Sequence, residues 1–431
     1  MSTTSDEPTG AQEVQSTVAE APERPRSLWR NRDYLLLWSG QMISRLGSQM
    51  SGFAFPLLAL FLTNSPLQAG LIGASRSIPY LFLSLPGGAL IDRLDRKRVM
   101  ILCDAGRALA LGSIPLVYAI FGTVPLVQLY VTAFVEGALF VFFDIAEVAC
   151  LPRVVSKAQL PAATAQNQAA DNTSALVGPS LGGVLYALSR LLPFLSDAIS
   201  YAVSVASLSL IRAEFQEERK ATPRKLRVEI AEGLSWLWHQ PLIRFISFLT
   251  GGFNFMFAGQ ALIVIIIAQH QGASAQVIGL IFTIGAIGGI AGSVAGAPIQ
   301  KRFSFASVII TTSWVIALSW PLYLLVPNPF WLGAVLAVQS VTVPIYNTTQ
   351  FSYRLALIPD ALQGRVNSAV RLIAYGFQPL GQALTGLLLQ WVNVTPTVLF
   401  FAAFLILLAT APTINPHVRH ARPLAEVAVG G

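Results

Sequence analysis

Apolar residues follow one another along this chain in runs of about 20 or more, broken by short polar stretches that hold most of its cations. A buried strand of a soluble α/β protein ends after about 4–8 residues, so runs of this length predict helices that cross a hydrocarbon layer. The windows place twelve spans, roughly at 34–62, 67–91, 98–121, 124–149, 160–188, 192–211, 242–268, 275–299, 305–326, 329–356, 361–391 and 396–414. A polar connector separates them six and six. Asn167 and Pro179 of the fifth span recur as Asn367 and Pro379 of the eleventh at one and the same offset. The expectation is therefore an all-α membrane protein with twelve transmembrane helices in two six-helix pseudo-repeats. Residues 1–33 read as a disordered cytoplasmic tail, 34–211 as an N-terminal bundle and 242–414 as a C-terminal bundle. The cytoplasmic connector at 212–241 carries an amphipathic helix around Ile230–Trp238 that lies on the inner leaflet. A second cytoplasmic tail, 415–431, completes the chain.

Composition agrees: the chain of 431 residues is 54% hydrophobic and 11% charged, against about 25% charged in soluble proteins. The net charge of +7 is a topology signal. Apart from Arg45, Arg76, Arg107 and Arg371, which fall within spans, nearly every Lys and Arg lies on the side of the tails and the connector, and only Arg190 falls in an opposite loop. Cations resist translocation, so both termini are expected in the cytoplasm of a multi-pass cell-membrane protein. The same scatter speaks against nucleic acid, which needs one basic patch. No cleavable signal peptide is read at the N-terminus. Cys103 and Cys150 sit near cytoplasmic ends of spans, where thiols stay reduced. His417 and His420 lack a third ligand for a metal. No cofactor is expected.

Enzyme motifs find no footing either. Gly178-Pro179-Ser180-Leu181-Gly182 matches G-x-S-x-G in form, but it lies inside an apolar span without the strand-to-helix turn that exposes the serine. The glycines from Gly285 to Gly292 are followed by no phosphate-loop lysine.

Gly88-Ala89-Leu90-Ile91-Asp92-Arg93-Leu94-Asp95-Arg96-Lys97-Arg98 resembles the signature loop between the second and third helices of major facilitator superfamily transporters. Asp95 stands where many members carry a second glycine. Arg76-Ser77-Ile78-Pro79, Asp104-Ala105-Gly106-Arg107 and Gln363-Gly364-Arg365-Val366-Asn367 resemble the drug-efflux branch, in particular macrolide efflux proteins and the enterobactin exporter. The resemblance covers nearly all of residues 27–414. It implies a monomer that rocks two bundles about a central site. It also implies a cytoplasmic gate of Gly88, Asp92, Arg93, Arg96, Lys97, Asp104, Arg107 and Glu147, in which Asp92 caps span 11 and Arg93 and Arg96 latch the halves. Gly178, Pro179, Gly182 and Gly183 resemble the antiporter motif of proton-coupled exporters, with Ser174 in place of its first glycine.

Ionisable groups inside spans are costly and so are functional candidates. The carboxylates within spans, Asp104, Glu136, Asp144, Glu147, Asp171 and Asp197, all belong to the first half, which restricts any proton carrier to that half. Glu136 lies about 13 residues from the cytoplasmic end of span 4 and Arg45 about 11 into span 1, depths that differ by only about 3–5 Å. An Arg45–Glu136 pair would keep the carboxylate ionised, and its loss would let the group take up a proton. Asp171 is a rival, and the resemblance, which implies that span 5 sits at the interface between halves, gives it the role of pairing with a neighbouring helix. Asp144 and Glu147 are expected to meet Arg96 or Arg107, and Asp104 and Arg107, three apart, to pair locally.

In the second half Asn254, Phe255, Gln260, Gln339, Tyr346, Asn347 and Gln350 offer aromatic and amide groups to a bulky substrate without phosphate. The expected activity is export of a small hydrophobic or amphipathic compound, such as an antibiotic or siderophore, in exchange for protons. Rival readings are a uniporter or lipid-like substrate flippase, and a non-transporting receptor on the same fold. The expected partners are a small-molecule substrate, protons and the lipid bilayer.

Overall fold

The computed structural model describes residues 28–91, 93–213, 215, 226–359 and 362–421, and every regular element in them is helical. The first half comprises α1 (Arg32–Thr63), α2 (Pro66–Ile91), α3 (Arg96–Phe121), α4 (Leu126–Val154), α5 (Leu160–Leu188) and α6 (Leu192–Leu210). The connector forms α7 (Leu226–His239). The second half follows as α8 (Pro241–Ala258), α9 (Gln260–His270), α10 (Ala275–Arg302), α11 (Phe305–Ser319), α12 (Pro329–Leu357), α13 (Gln363–Gly376), α14 (Gln378–Trp391), α15 (Val394–Ile414) and α16 (Pro416–Arg419). Among the described residues, 10 helical segments are long and apolar enough to cross a membrane. Helices α2 and α5 fall outside that set although they are 26 and 29 residues long. The first half of α5 is rich in polar groups, from Gln166 to Asn172. Large apolar side chains such as Leu109 and Trp391 are more than 70% exposed, the inverse of a water-soluble surface and suited to lipid.

Two expected spans are divided. The seventh breaks at Gly259 into α8 and α9, and the eleventh at Phe377 into α13 and α14. Pro379 accounts for the second break, since it lacks an N–H and its ring crowds the carbonyl one turn back. By contrast α5 runs unbroken through Pro179. The tail boundaries also move. Asn31 caps α1 and donates to the Val154 carbonyl at 2.8 Å, Asp33 accepts from the backbone of Arg212 and Ala213, and Val418 of α16 is fully buried. Residues 28–33 and 415–421 thus belong to the folded body; residues 1–27 and 422–431 of the expected tails lie outside the described residues. Helix α7 packs Gly233 and the buried Leu237 inward, joins Glu232 to Arg365 of α13, and leaves Leu234 and Trp238 exposed. One apolar stripe faces the bundle and another is free for the membrane interface.

The contacts of Asn31 and Asp33 gather the start of α1 and the ends of α4 and α6 at one end of the bundle, here the terminal end. At the opposite, far end the two halves are sewn together along two seams. In the first, α5 lies on α10, and a Cβ added to Gly183 would come within 2.5 Å of the Ala275 carbonyl. In the second, α2 lies on α14, and a Cβ added to Gly70 would come within 2.6 Å of the Gln382 carbonyl. Only glycine lets backbones approach so closely. Hydroxyls and amides reinforce the seams: Ser180 with Thr283 at 2.7 Å, Ser65 with Gln390 at 2.7 Å and Ser77 with Gln382 at 3.0 Å. Nearer the terminal end the halves meet through Tyr80 against Tyr375 and through Asp144 and Arg371, 3.4 Å apart.

Candidate functional site

Between the halves lies a cavity of about 590 Å³, within the range of small-molecule sites. Its first-half wall holds all the charged groups, set among Phe53, Phe140 and Phe143. Helix α1 contributes Gln41, Ser44, Arg45, Ser48, Gln49 and Gly52, a spacing of three and four that marks a single helix face. That stripe was legible in the sequence, where Arg45 alone was singled out. Opposite, α9 and α10 contribute Ala261, Ile265 and Phe282, an apolar wall.

Arg45 donates to Glu147 Oε1 at 2.5 Å and faces Asp171 Oδ1 at 3.0 Å, with the Asn167 carbonyl as a further acceptor at 3.3 Å. The expected Arg45–Glu136 pair is therefore not formed. Glu136 instead takes two hydrogen bonds from Arg76 of α2, through Nε and through Nη2 at 3.0 Å, and a third from the Tyr201 hydroxyl at 3.3 Å. The reason is depth. The expected fourth span stopped near 149, whereas α4 continues to Val154, about five residues or roughly 8 Å further. Glu136 is deeper by that amount and meets Arg76, while Glu147 and Asp171 come level with Arg45. A side chain on Gly137 would strike the Arg76 carbonyl, so this glycine admits α2 close enough for the pair.

The carboxylates near the terminal end of α4 differ from expectation as well. Glu147 is taken by Arg45 and Asp144 by Arg371 of the other half. Among the described residues neither pairs with Arg96, which donates to the Ala149 carbonyl, or with Arg107, which is closed locally on Asp104. Arg107 and Asp104 do form the local pair the sequence suggests, almost wholly buried, with the guanidinium also over the rings of Phe143 and Tyr201.

In the signature loop, Asp95 caps α3, accepting from the backbone N–H groups of Lys97 and Arg98. The residue standing in place of a glycine thus has a helix-starting role. Arg96 donates to the Ala149 carbonyl at 3.0 Å and Lys97 to that of Ile211 at 2.6 Å, which ties the start of α3 to α4 and α6 within the same half. Arg93 is exposed, Gly88 borders a smaller cavity with Asp144 and Arg371, and Asp92 lies outside the described residues. Gly178 and Gly182 of the antiporter-like motif pack on Gln49 and Met50 of α1, Gly183 on α10, and Pro179 lines the cavity.

The seven second-half candidates do not line this cavity. Gln260 donates to Tyr323 at 2.7 Å and bonds Gln339, which donates to Ser319 at 3.0 Å. Asn254 donates to the Ala374 carbonyl at 2.8 Å, and Tyr346 bonds Thr250 at 2.8 Å. Phe255 leans on Phe404; Asn347 is exposed and Gln350 half-buried on α12. Polar groups in a membrane bundle satisfy one another across helices before they serve a solute. Residues absent from the expected site, Arg76 and Tyr201, prove to hold Glu136. Arg76 carried a signal in the sequence, a cation within a span. A lone tyrosine in α6 carried none.

A helical membrane body whose two halves enclose a solute-sized cavity lined by intramembrane ion pairs defines a membrane transporter. The chain matches the family model described as transmembrane secretion effector over residues 25–428 and belongs to that family, within the major facilitator superfamily. The multidrug efflux pump Tap of Mycolicibacterium fortuitum is 26% identical over 399 residues, covering 89% of this chain and 96% of the pump. Macrolide efflux protein A of Streptococcus pyogenes is 25% identical over 410 residues, covering 90% of this chain and 96% of its own. Among solved structures, the nucleoside transporter NupG superposes with a TM-score of 0.69 at 15% identity, covering 90% of this chain and 100% of that one. A bacterial homologue of the iron transporter ferroportin in its inward-facing state gives 0.69 at 17%, covering 90% and 99%. Members of this superfamily are transporters and not enzymes.

Proposed function

We propose that this protein exports a small hydrophobic or amphipathic compound by proton antiport, with alternating access between two six-helix repeats. The observation that carries the reading is Arg45 held between Glu147 and Asp171 on the wall of the inter-half cavity. Two carboxylates on one guanidinium leave a negative charge that a proton or the polar group of a substrate neutralises in turn. Phe53, Phe140, Phe143 and Phe282, with Ile265, suit the apolar body of the same molecule. Export is supported by the efflux relatives. Counting α2 and α5 among the spans brings the total to twelve. The pairing of α5 with α10 and of α14 with α2 relates corresponding helices of the halves, as a parallel repeat requires. With the seams closed at the far end, the conformation is inward-facing if the terminal end is cytoplasmic.

In proteoliposomes, accumulation of a fluorescent amphipathic dye is expected to follow an imposed pH gradient. Flux indifferent to the gradient would place the protein with uniporters or flippases, and dye binding without flux with receptors. Sidedness is open to a thiol test, since the native Cys103 and Cys150 are both buried. Ser189→Cys, exposed at the far end, is expected to react with an impermeant maleimide on intact cells, and Ser156→Cys, exposed at the terminal end, to stay unlabelled. The reverse pattern would overturn the orientation.

A further inference from the structure

Among the described residues, three carboxyl groups are buried in the core of the first half, and two guanidiniums answer them. Asp104 is paired with Arg107, and Glu136 with Arg76. Asp197 of α6, the third, is 0% exposed, and among the described residues its side chain is met by hydroxyls alone. Ser51 Oγ donates to Oδ2 at 2.5 Å, and Ser200 Oγ lies 3.1 Å from Oδ1. The remaining surroundings offer no free cation. Helix α1 presents Ser48 and Ser51, and α2 brings Arg76, already engaged by both oxygens of Glu136. Helix α3 presents the closed Asp104–Arg107 pair, α4 presents Glu136, and α6 itself presents Tyr201. Helix α5 meets α6 at the turn joining them, where Arg190 stacks on Phe61.

The lack of a counter-charge gives the carboxyl a proton. An ionised carboxylate without a counter-charge is far costlier in such a site than the neutral acid, so the group neutralises. Ser200 shares its single hydroxyl hydrogen between the Asp197 backbone carbonyl at 2.8 Å and Oδ1 at 3.1 Å, so it brings the carboxyl little compensation for the water it has lost.

We infer that Asp197 is a second proton-binding carboxyl, neutral in this conformation and in series with Glu136. Hydroxyls occupy the space between the two: Tyr201 bonds Glu136 at 3.3 Å and Ser48 at 2.8 Å, and Ser51, one turn along α1, bonds Asp197. Ser48 also lines the cavity. Asp197 lies about five residues into α6, roughly 8 Å from its far end, on the side from which protons arrive in an exporter. One proton taken from the far face by ionised Asp197 is matched by one released through Glu136 to the cavity. The relay role rests on the antiport reading; the protonation of Asp197 does not.

Infrared spectra of the purified full-length protein at neutral pH are expected to contain the carbonyl stretch of a protonated carboxylic acid that Asp197→Asn removes and Glu136→Gln leaves. Absence of that difference means an ionised Asp197 and overturns the inference. Should Asp197→Asn not fold, titrating the wild-type spectrum serves instead: no protonated-acid band at neutral pH has the same meaning. In proteoliposomes, Asp197→Asn is expected to keep dye exchange and lose accumulation driven by a pH gradient, about tenfold for each pH unit imposed. A coupled wild type with an equally coupled Asp197→Asn removes the relay alone. A wild type blind to the gradient removes antiport and the relay together, while the infrared band still decides whether Asp197 carries a proton.

Discussion

Glu136→Gln is expected to abolish substrate accumulation driven by a pH gradient while substrate exchange continues. Glu136 is 1% exposed and bound by Arg76 and Tyr201, and through Tyr201 it reaches Ser48 on the cavity wall. Gln preserves its length and much of its hydrogen bonding but cannot ionise. One proton moving down a gradient of one pH unit supplies about 1.4 kcal/mol, enough for about tenfold accumulation of a neutral substrate. The variant forfeits that factor for every unit imposed. Because the substitution also frees Arg76 from its counter-charge, exchange is the necessary control: a variant that neither exchanges nor binds the dye has lost its structure, not its coupling. If Glu136→Gln still concentrates dye when only a pH difference drives it, Glu136 is dispensable for coupling, and the Arg45–Glu147–Asp171 cluster serves as the proton site without it.

Gly183→Leu is expected to prevent the far end from closing. A Cβ at this position would press to 2.5 Å on the Ala275 carbonyl and 3.2 Å on Gln276 Cα, both backbone atoms. The overpacking costs about 1–3 kcal/mol, and alternating access charges it only to the conformation with closed seams. A bias of that size shifts the balance of two states by about 5–150-fold. Ser65 and Gln390, hydrogen-bonded at 2.7 Å across the second seam, report the shift. Cysteines placed at both positions should cross-link readily in the otherwise unaltered protein and at least about fivefold less in the Gly183→Leu background, with transport falling in parallel. Undiminished cross-linking together with normal transport would show that closure of the first seam is no part of the cycle.

Part of this site could be read from the chain, and the division follows from sequence distance. Asp104 and Arg107 pair as expected because a separation of three residues on one helix decides the contact locally. The polar stripe of α1 and the close-packing glycines of α5 are equally local, since a periodicity or a missing side chain needs no partner to be recognised. The partners of Arg45 and Glu136 were misread because they lie on other helices. Placing them required the level of each helix to within one turn, and the end of α4 alone moved by more than that. The amides of the second half failed for a related reason. Composition reveals that Gln260 and Gln339 need partners, but helix rotation decides whether those partners are a substrate or each other.

By itself the sequence determined the class of protein. Apolar runs of membrane length, cations gathered on one side and intramembrane carboxylates confined to the first half are properties of composition along a line, and hydration energies act on them whatever the final packing. Tertiary structure alone decided which cation each carboxylate meets, that Arg45 serves two of them while Asp197 is left to serines, and which face of α1 fronts the cavity. Those outcomes depend on how far helices slide and turn against one another, which is set by the summed packing of glycines and side chains from distant segments.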